Sequence, residues 1–238
     1  MMELALTPLA LVERGVSAFA DRTAVVSERV FWTYAQFADR VGRLAGALAC
    51  LGATGGERVA LLAPNTAEAL ECYTGVALAG AVLVPLNTRL SADEYAYILT
   101  HSESRALIVD ASLRHAVEPA LASLDRAPAL IVQGAAEPSP GAIDYEDLLA
   151  GARALPLDGS GVDERTTITL NYTSGTTSRP KGVAISHRSA CLNAVNMVLA
   201  MRLGREDVHL HVAPMFHANG CGFVRCDRIG PTWPGGAT

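Results

Sequence analysis

The sequence predicts an α/β fold: a doubly wound, mostly parallel sheet with helices flanking both of its faces. Three observations carry this prediction. Short apolar, β-branched runs alternate along the chain with segments whose apolar residues recur at helical spacing. Capping signals stand where the helical segments begin, and the 238 residues, half of them apolar, are enough to bury a sizeable core. Such strand–helix repetition favours parallel pairing, but a fold class carries no function by itself.

The first two predicted helices are bounded by local signals. Thr33 and Gln36 form a capping box that opens a helix through about residue 51, and Gly52 follows as a stop signal. Asn65 with Glu68 can cap the next helix, which ends near residue 80.

Later helices follow from the same reasoning. Ser91 and Glu94 form a second capping box for a helix to about residue 101, and further helices are predicted at residues 113–124, 145–152 and 188–202. The last of these carries an apolar stripe made of Leu192, Val195, Val198 and Leu199.

The predicted strands are short apolar runs at residues 58–63, 81–84, 106–109, 129–132, 166–170 and 183–185. Two Pro- and Gly-rich stretches, 133–143 and 156–163, are predicted as connections. The last two strands would form a hairpin around a polar segment.

That polar segment, NYTSGTTSRPKGV, indicates a chemistry. Its hydroxyl side chains can donate hydrogen bonds to phosphate oxygens, and they belong to Thr173, Ser174, Thr176, Thr177 and Ser178. Gly175 lets the backbone approach an anion closely. Lys181 adds a positive charge, and Pro180 makes the backbone just before it more rigid. A Walker A motif needs Gly directly before the Lys, so a phosphate loop of another kind is predicted. An ordinary polar surface turn is the alternative.

The run resembles the phosphate loop of the AMP-forming acyl-adenylate enzymes, the superfamily of acyl-CoA synthetases, luciferases and peptide-synthetase adenylation domains. Their usual pattern is YTSGTTGxPKGV, from which this chain departs with Ser178 in place of the last Gly of the loop. The stretches FWTYAQFADRVGRLAGAL and LLAPNTAEALECYTGVALAGAVLVPLN are similar to the opening half of an acyl-CoA synthetase, so the resemblance runs through Phe223. Within the superfamily, NYTSGTTSRPKG and APMFHANG are most similar to bacterial and plant enzymes that thioesterify fatty or aromatic acids.

The resemblance implies a reaction and its cofactors. A carboxylic acid, fatty or aromatic, would be activated with ATP through an acyl-adenylate to its CoA thioester, with Mg²⁺ supporting the phosphates. The implied binding residues, none of them a nucleophile, are Thr173, Ser174, Gly175, Thr176, Thr177 and Lys181. No residue is assigned as catalytic, because the family's catalytic lysine belongs to a small C-terminal domain with no counterpart in this sequence.

A second candidate site lies in HLHVAPMFHANG. Alternation of Val208, Leu210 and Val212 with histidines predicts a half-buried strand that Pro214 ends. In the family, the corresponding turn borders the acyl-binding cavity, so the resemblance implies that His217 lines the substrate pocket. A structural histidine bonded to local backbone is the alternative.

A metal site is a less favoured interpretation of the same region. Five potential ligands crowd together: His209, His211, His217, Cys221 and Cys226. Their spacing includes no C-x-x-C and matches no structural zinc pattern, so no metal site is predicted.

The length sets an expectation about activity. Family members are roughly twice this length or more, so the resemblance implies a truncated N-terminal AMP-binding domain at residues 1–223, an irregular tail at 224–238, and no small C-terminal domain. We expect impaired or no complete turnover. The alternative is a non-catalytic remnant, or half of a split enzyme, that binds nucleotide phosphate. Uncovered apolar surface would then favour self-association or a complementary C-terminal polypeptide.

The composition limits the kinds of partner and the cellular location that we expect for this chain. The formal net charge of −5 offers no basic footprint for nucleic acid. The longest uncharged stretch, residues 72–88, is broken by Gly75, Gly80 and Pro85, so no membrane span is predicted. The start of the chain lacks the basic region of a secretory signal, and five scattered cysteines fit a reducing compartment. A cytoplasmic location is therefore expected.

Overall fold

The structure, a computed structural model, describes residues 5–27, 30–137, 140–173, 179–204 and 206–217. Its helices are α1 (Pro8–Phe19), α2 (Tyr34–Cys50), α3 (Ala67–Leu78), α4 (Ala92–Ser102), α5 (Arg114–Ala122), α6 (Tyr145–Ala150) and α7 (His187–Ala200). Its strands are β1 (Thr23–Val26), β2 (Phe31–Thr33), β3 (Arg58–Leu62), β4 (Val82–Pro85), β5 (Ala106–Asp110), β6 (Ala129–Gln133), β7 (Ile143–Asp144), β8 (Thr167–Thr173) and β9 (Lys181–Ser186).

Seven of these strands form one sheet in the order β7-β6-β5-β3-β4-β8-β9. Every neighbouring pair is parallel except β8 with β9, which is antiparallel. Strands β1 and β2 form a separate antiparallel hairpin. The predicted mostly parallel sheet is confirmed.

Helices cover both faces of the sheet, because successive side chains of a strand point to opposite faces. In β3, Val59 and Leu61 join a buried cluster with residues of α2, α3 and α6. Ala60 and Leu62, which alternate with them, join a second cluster with residues of α4 and α5. The doubly wound arrangement is therefore confirmed.

The helix boundaries confirm most of the local signals and correct one. Both capping boxes, Thr33 with Gln36 and Ser91 with Glu94, are present. The prediction that Asn65 caps α3 is wrong: Thr66 is the N-cap, and its hydroxyl accepts the hydrogen bond from the backbone of Ala69. The side chain of Asn65 instead forms hydrogen bonds with the backbone of Ala213 and Met215.

The apolar stripe of α7 lies largely at the surface: Leu192, Val195 and Leu199 are exposed, and the buried face carries smaller residues such as Ala190 and Ala194. The half-buried strand predicted for the segment after α7 is wrong. Residues 208–212 form no strand. Val208 and Val212 are exposed because, among the described residues, this segment has no neighbouring strand against which to bury them.

A buried ion pair joins three of the helices. The guanidinium of Arg40 on α2 donates to the fully buried carboxylate of Glu71 on α3 and to Glu146 on α6 at 2.6 Å. The hydroxyl of Tyr145 donates to Glu71 at 2.9 Å. Burial raises the pKa of Glu71 to about 7, although Arg40 and Tyr145 both act against that shift.

Candidate functional site

A cavity of about 170 Å³ lies where the carboxyl ends of β4 and β8 meet. Its lining comes from four parts of the chain, the end of β4 with the loop after it, helix α4, the β8–β9 hairpin and the turn near residue 216: Pro85, Asn87, Leu90, Ile98, Asn171, Tyr172, Thr173, Pro180, Phe216 and His217. In open α/β sheets, ligands bind outside the carboxyl ends of the strands. The position of the cavity therefore makes it a candidate binding site.

The phosphate-loop sequence closes the β8–β9 hairpin beside this cavity. Thr173, the last residue of β8, pairs with Lys181, the first residue of β9, and both are exposed. The predicted hairpin is confirmed, and its strands are longer than the sequence indicated. Thr173 contributes to the cavity lining, whereas Lys181 does not. The other predicted phosphate ligands, Ser174, Gly175, Thr176 and Thr177, lie outside the described residues.

The opposite wall of the cavity is held in place by Asn65. Its Nδ2 donates to the carbonyl of Ala213 at 2.8 Å, and its Oδ1 accepts from the N–H of Met215 at 2.9 Å. The hydroxyl of Tyr73 on α3 donates to the carbonyl of Met215, whose side chain is buried. Since Met215 is fixed to α3 and to the loop before it, the residues that follow are directed to the cavity.

His217 lies in the turn that these contacts hold. Its backbone N–H donates to the carbonyl of Pro214 at 3.1 Å, and the residue is exposed at the edge of the cavity. The structure therefore brings His217 and Thr173, two of the residues singled out from the sequence, to the same cavity.

Asn171 is a candidate site residue that the sequence reasoning left without a role. It is 7 % exposed, it lines the cavity, and neither polar atom of its side chain has a hydrogen-bond partner among the residues that the structure describes. Leaving such a group unpaired costs about 1–3 kcal/mol. A polar residue interrupting the apolar run of β8 was the available signal. Its retention beside a cavity indicates a ligand or water that completes its hydrogen bonding.

The neighbouring histidines give no support to a metal centre. The rings of His209 and His211 lie 5.6 Å apart, and burial lowers the pKa of both imidazoles. Within the described ranges, no three His, Cys, Asp or Glu side chains are grouped so that they could hold a metal ion. Cys221 and Cys226 lie outside those ranges.

None of the described helices is both long enough and apolar enough to cross a membrane.

Known proteins are similar to this chain in sequence and in fold. 4-Hydroxybutyrate–CoA ligase 2 of Metallosphaera sedula is 40% identical over 231 residues, which cover 92% of this chain and 41% of that protein. Butyrate–CoA ligase AAE11, peroxisomal, of Arabidopsis thaliana is 35% identical over 228 residues, covering 90% of this chain and 40% of that protein. The solved structure of the anthranilate CoA ligase AuaEII in complex with anthranoyl-AMP superposes with a TM-score of 0.84 at 27% identity, covering 99% of this chain and 46% of that one.

These matches cover nearly all of this chain but less than half of each relative. The chain spans about two fifths of the length of the curated relatives that it matches. The family model described as "AMP-binding enzyme" matches residues 12–226, nearly the whole chain. The hairpin with its phosphate-loop sequence, the cavity at the carboxyl ends of the strands and the family match agree: the chain belongs to the family of AMP-binding enzymes.

Proposed function

We propose that this chain supplies the phosphate-binding part of an enzyme that activates a carboxylic acid with ATP. In the proposed reaction, a carboxylate oxygen attacks the α-phosphorus of ATP, the bond to the β-phosphate oxygen breaks, and pyrophosphate leaves. The thiol of coenzyme A then attacks the acyl carbon, which forms the thioester and releases AMP. The observation that carries this proposal is the position of the phosphate-loop sequence: it closes a hairpin beside a cavity at the carboxyl ends of β4 and β8.

The chain's part in the reaction is to bind and orient. Thr173 and Lys181 stand at the two ends of the loop, where a hydroxyl and an ammonium group can meet phosphate oxygens. The same role is proposed for the residues between them: Ser174, Gly175, Thr176 and Thr177. Bringing two anions together needs donors that stabilise phosphate charge. None of these residues forms a covalent bond.

A Mg²⁺ ion fits this site as a companion of ATP. The described lining of the cavity contains amide and hydroxyl oxygens, from Asn87, Asn171 and Thr173, and no carboxylate. Mg²⁺ prefers oxygen ligands and commonly keeps its waters while it is held through substrate phosphates. When bound, it would neutralise charge on the phosphates, and Thr173 could contribute an oxygen.

The acid is proposed to be fatty or aromatic, and His217 is proposed to border its pocket. The named substrates of the relatives, 4-hydroxybutyrate and butyrate, and the anthranoyl group of the solved complex support this range. We also propose the domain limits at residues 1–223 and the cytoplasmic location. The tail predicted at 224–238 lies outside the described residues.

A second candidate is a nucleotide-binding chain that works only when its α7 surface is covered. We define this α7 surface as the exposed side chains of Leu192, Val195 and Leu199. Apolar side chains grouped on one helix favour association. The occupant would be a complementary polypeptide or a second copy of the chain.

Carboxylate-dependent ATP–pyrophosphate exchange separates the two candidates. The folded chain is assayed with short-chain, long-chain and aromatic acids, beside Lys181→Ala and Arg126→Ala, which removes one positive charge from an exposed position in another part of the fold. Exchange that is lost in Lys181→Ala and kept in Arg126→Ala supports adenylation, and the preferred acid names the substrate. Absence of exchange in a folded chain that still binds MgATP supports the second candidate.

A further inference from the structure

One face of α4 contacts both arms of the hairpin that carries the phosphate-loop sequence. On the arm that enters the loop, the hydroxyl of Tyr172 lies 2.7 Å from Nδ1 of His101, and the two rings meet edge to face at 5.8 Å between centroids. On the arm that leaves the loop, which includes the two residues just before β9, the guanidinium carbon of Arg179 lies 5.4 Å from the centroid of the Tyr97 ring. Tyr97 and His101 are one helical turn apart, with their rings 5.4 Å from each other.

This arrangement forms a continuous row of four side chains, Tyr172, His101, Tyr97 and Arg179, which we call the α4 clamp. Its outer members belong to the two arms of the hairpin, and its inner members belong to the helix. The cation lies over the face of an aromatic ring, and the rings contact each other at the separations that aromatic pairs prefer. The clamp therefore sets where each arm lies with respect to the same rigid element.

The helix is well suited to serve as that element. Ile98 and Leu99 are buried in the cluster between α4 and the sheet, and the hydroxyl of Tyr95 donates to the carbonyl of Asn87 at 2.8 Å. A capping box fixes the first turn of α4. Burial raises the pKa of Tyr172 to about 12, so its hydroxyl keeps its proton at neutral pH and remains a hydrogen-bonding group.

We propose that Tyr97 and His101 are positioning residues for the phosphate loop, which act by holding Tyr172 and Arg179 and need no contact with the nucleotide. This inference rests on the proposed function, since it assumes that the hairpin binds phosphate. Preorganised donors bind an anion more tightly than donors that must first be ordered, because the cost of ordering is met during folding. Loss of the clamp should weaken nucleotide binding while leaving the fold intact.

The composition of the chain supplies a specific probe. Lys181 is the only lysine in the sequence, so lysyl endopeptidase has one cleavage site, between Lys181 and Gly182 at the start of β9. A protease needs an extended, unpaired substrate, and cleavage therefore follows the population in which the hairpin has opened. The rate of this single cut measures how firmly the arms are held, with or without nucleotide.

The experiment compares His101→Ala, Tyr172→Phe and the double variant with the original chain. The matched control is His115→Ala, which removes an exposed histidine from α5.

We expect each clamp variant to raise the cleavage rate about three- to tenfold, since a single side-chain hydrogen bond has an effect of that order. The double variant should exceed His101→Ala by no more than about twofold, because His101→Ala already removes the hydrogen bond that Tyr172→Phe removes. His101→Asn, which keeps a hydrogen-bonding group near the position of Nδ1, should recover part of the loss. The control should stay within about twofold of the original chain.

MgATP then tests the positioning role. The concentration that protects half of the chain from cleavage should rise in His101→Ala by a factor similar to the gain in cleavage rate. Unchanged cleavage in His101→Ala, or rates that multiply in the double variant, would overturn the clamp. Faster cleavage with unchanged protection by MgATP would make the contacts merely structural and would overturn the positioning role. If MgATP protects no variant, the original chain included, the proposed function fails, while cleavage without nucleotide still decides whether the clamp holds the arms.

Discussion

The side-chain amide of Asn65 binds the backbone of Met215 across 150 positions of sequence, with Oδ1 accepting from the N–H at 2.9 Å. The same amide donates to the carbonyl of Ala213. It therefore gives this segment one donor and one acceptor, as the backbone of a neighbouring strand would. This contact holds the turn that brings Phe216 and His217 to the cavity. One wall of the candidate site therefore depends on a residue that lies far from the site in sequence.

Replacing Asn65 with Ala should release that turn. The amide of Met215 loses its acceptor, so we expect its hydrogen exchange to accelerate about tenfold, the effect of losing a hydrogen bond of about 1.4 kcal/mol. Amide exchange followed by NMR measures this directly. Asn65→Asp is the matched variant, because it keeps an acceptor for Met215 and loses only the amide donor, which serves the carbonyls of Ala213 and His211. Equal protection of the Met215 amide in the original chain and in Asn65→Ala would show that other contacts hold the turn.

The pair of Glu71 with Arg40 predicts a particular dependence of stability on pH. Because burial raises the pKa of Glu71 to about 7, the folded state holds a proton that the unfolded state has already lost between about pH 4.5 and 7. The free energy of unfolding should therefore fall as the pH rises through this range, by up to about 3 kcal/mol. Glu71→Gln is neutral at every pH and should lack this component.

Urea denaturation of both proteins at pH 5, 6, 7 and 8 tests this prediction, since taking their difference cancels the other titrating groups. A difference that shifts in favour of the original chain as the pH rises would mean that the attraction of Arg40 outweighs burial. The pKa of Glu71 would then lie below its ordinary value.

Replacing Asn171 should affect stability and ligand binding in opposite directions. Replacing it with Leu, which is similar in size and apolar, removes an unpaired buried amide, so the urea midpoint should rise by the equivalent of about 1 kcal/mol. If the amide serves a ligand in the cavity, the same variant should bind MgATP or the acid more weakly. Calorimetric titration beside the denaturation curve measures both effects. A variant that is less stable and binds as well as the original chain would remove Asn171 from the site.

The α7 surface predicts self-association in the absence of another partner. Leu199 is 70 % exposed, and Leu199→Glu should lower the average mass measured by sedimentation at micromolar concentration. Phe31→Glu is the matched control, because Phe31 is 68 % exposed but belongs to the β1–β2 hairpin. An equal effect of both substitutions would indicate non-specific adhesion, and a monomeric original chain would leave the α7 surface without a role in self-association.

Local signals predicted the parts of this fold that local interactions determine. The capping boxes at Thr33 and Ser91 involve residues three positions apart, and both are present. The apolar strands of the parallel region are buried on both sides, which gives them continuous runs that stand out in the sequence. Helix α1 has a comparable local signal, since Thr7 caps it and Pro8 follows at its first turn, although this helix was not among those predicted.

The differences arise where a distant contact decides the outcome. Asn65 satisfies a local capping rule, but its contact with Met215 prevails and Thr66 becomes the cap. The alternation at residues 208–212 predicts a strand only if another strand lies beside it, and Val208 and Val212 are exposed instead. Likewise, the stripe on α7 shows which face is apolar and says nothing about what covers it. The phosphate-loop sequence predicted the hairpin correctly, whereas the α4 clamp needed the spatial proximity of His101 and Tyr172.

The central claim, that the hairpin of residues 167–186 binds nucleotide phosphates, is tested most directly at Lys181. Because it is the only lysine of the chain, an amine-reactive reagent modifies one internal position, which mass spectrometry separates from the N-terminal amine. We predict that MgATP and inorganic pyrophosphate slow the modification of Lys181 in a concentration-dependent manner, whereas adenosine, which carries no phosphate, does not. Equal rates of modification with and without MgATP and pyrophosphate, in a chain shown to be folded, would contradict the account.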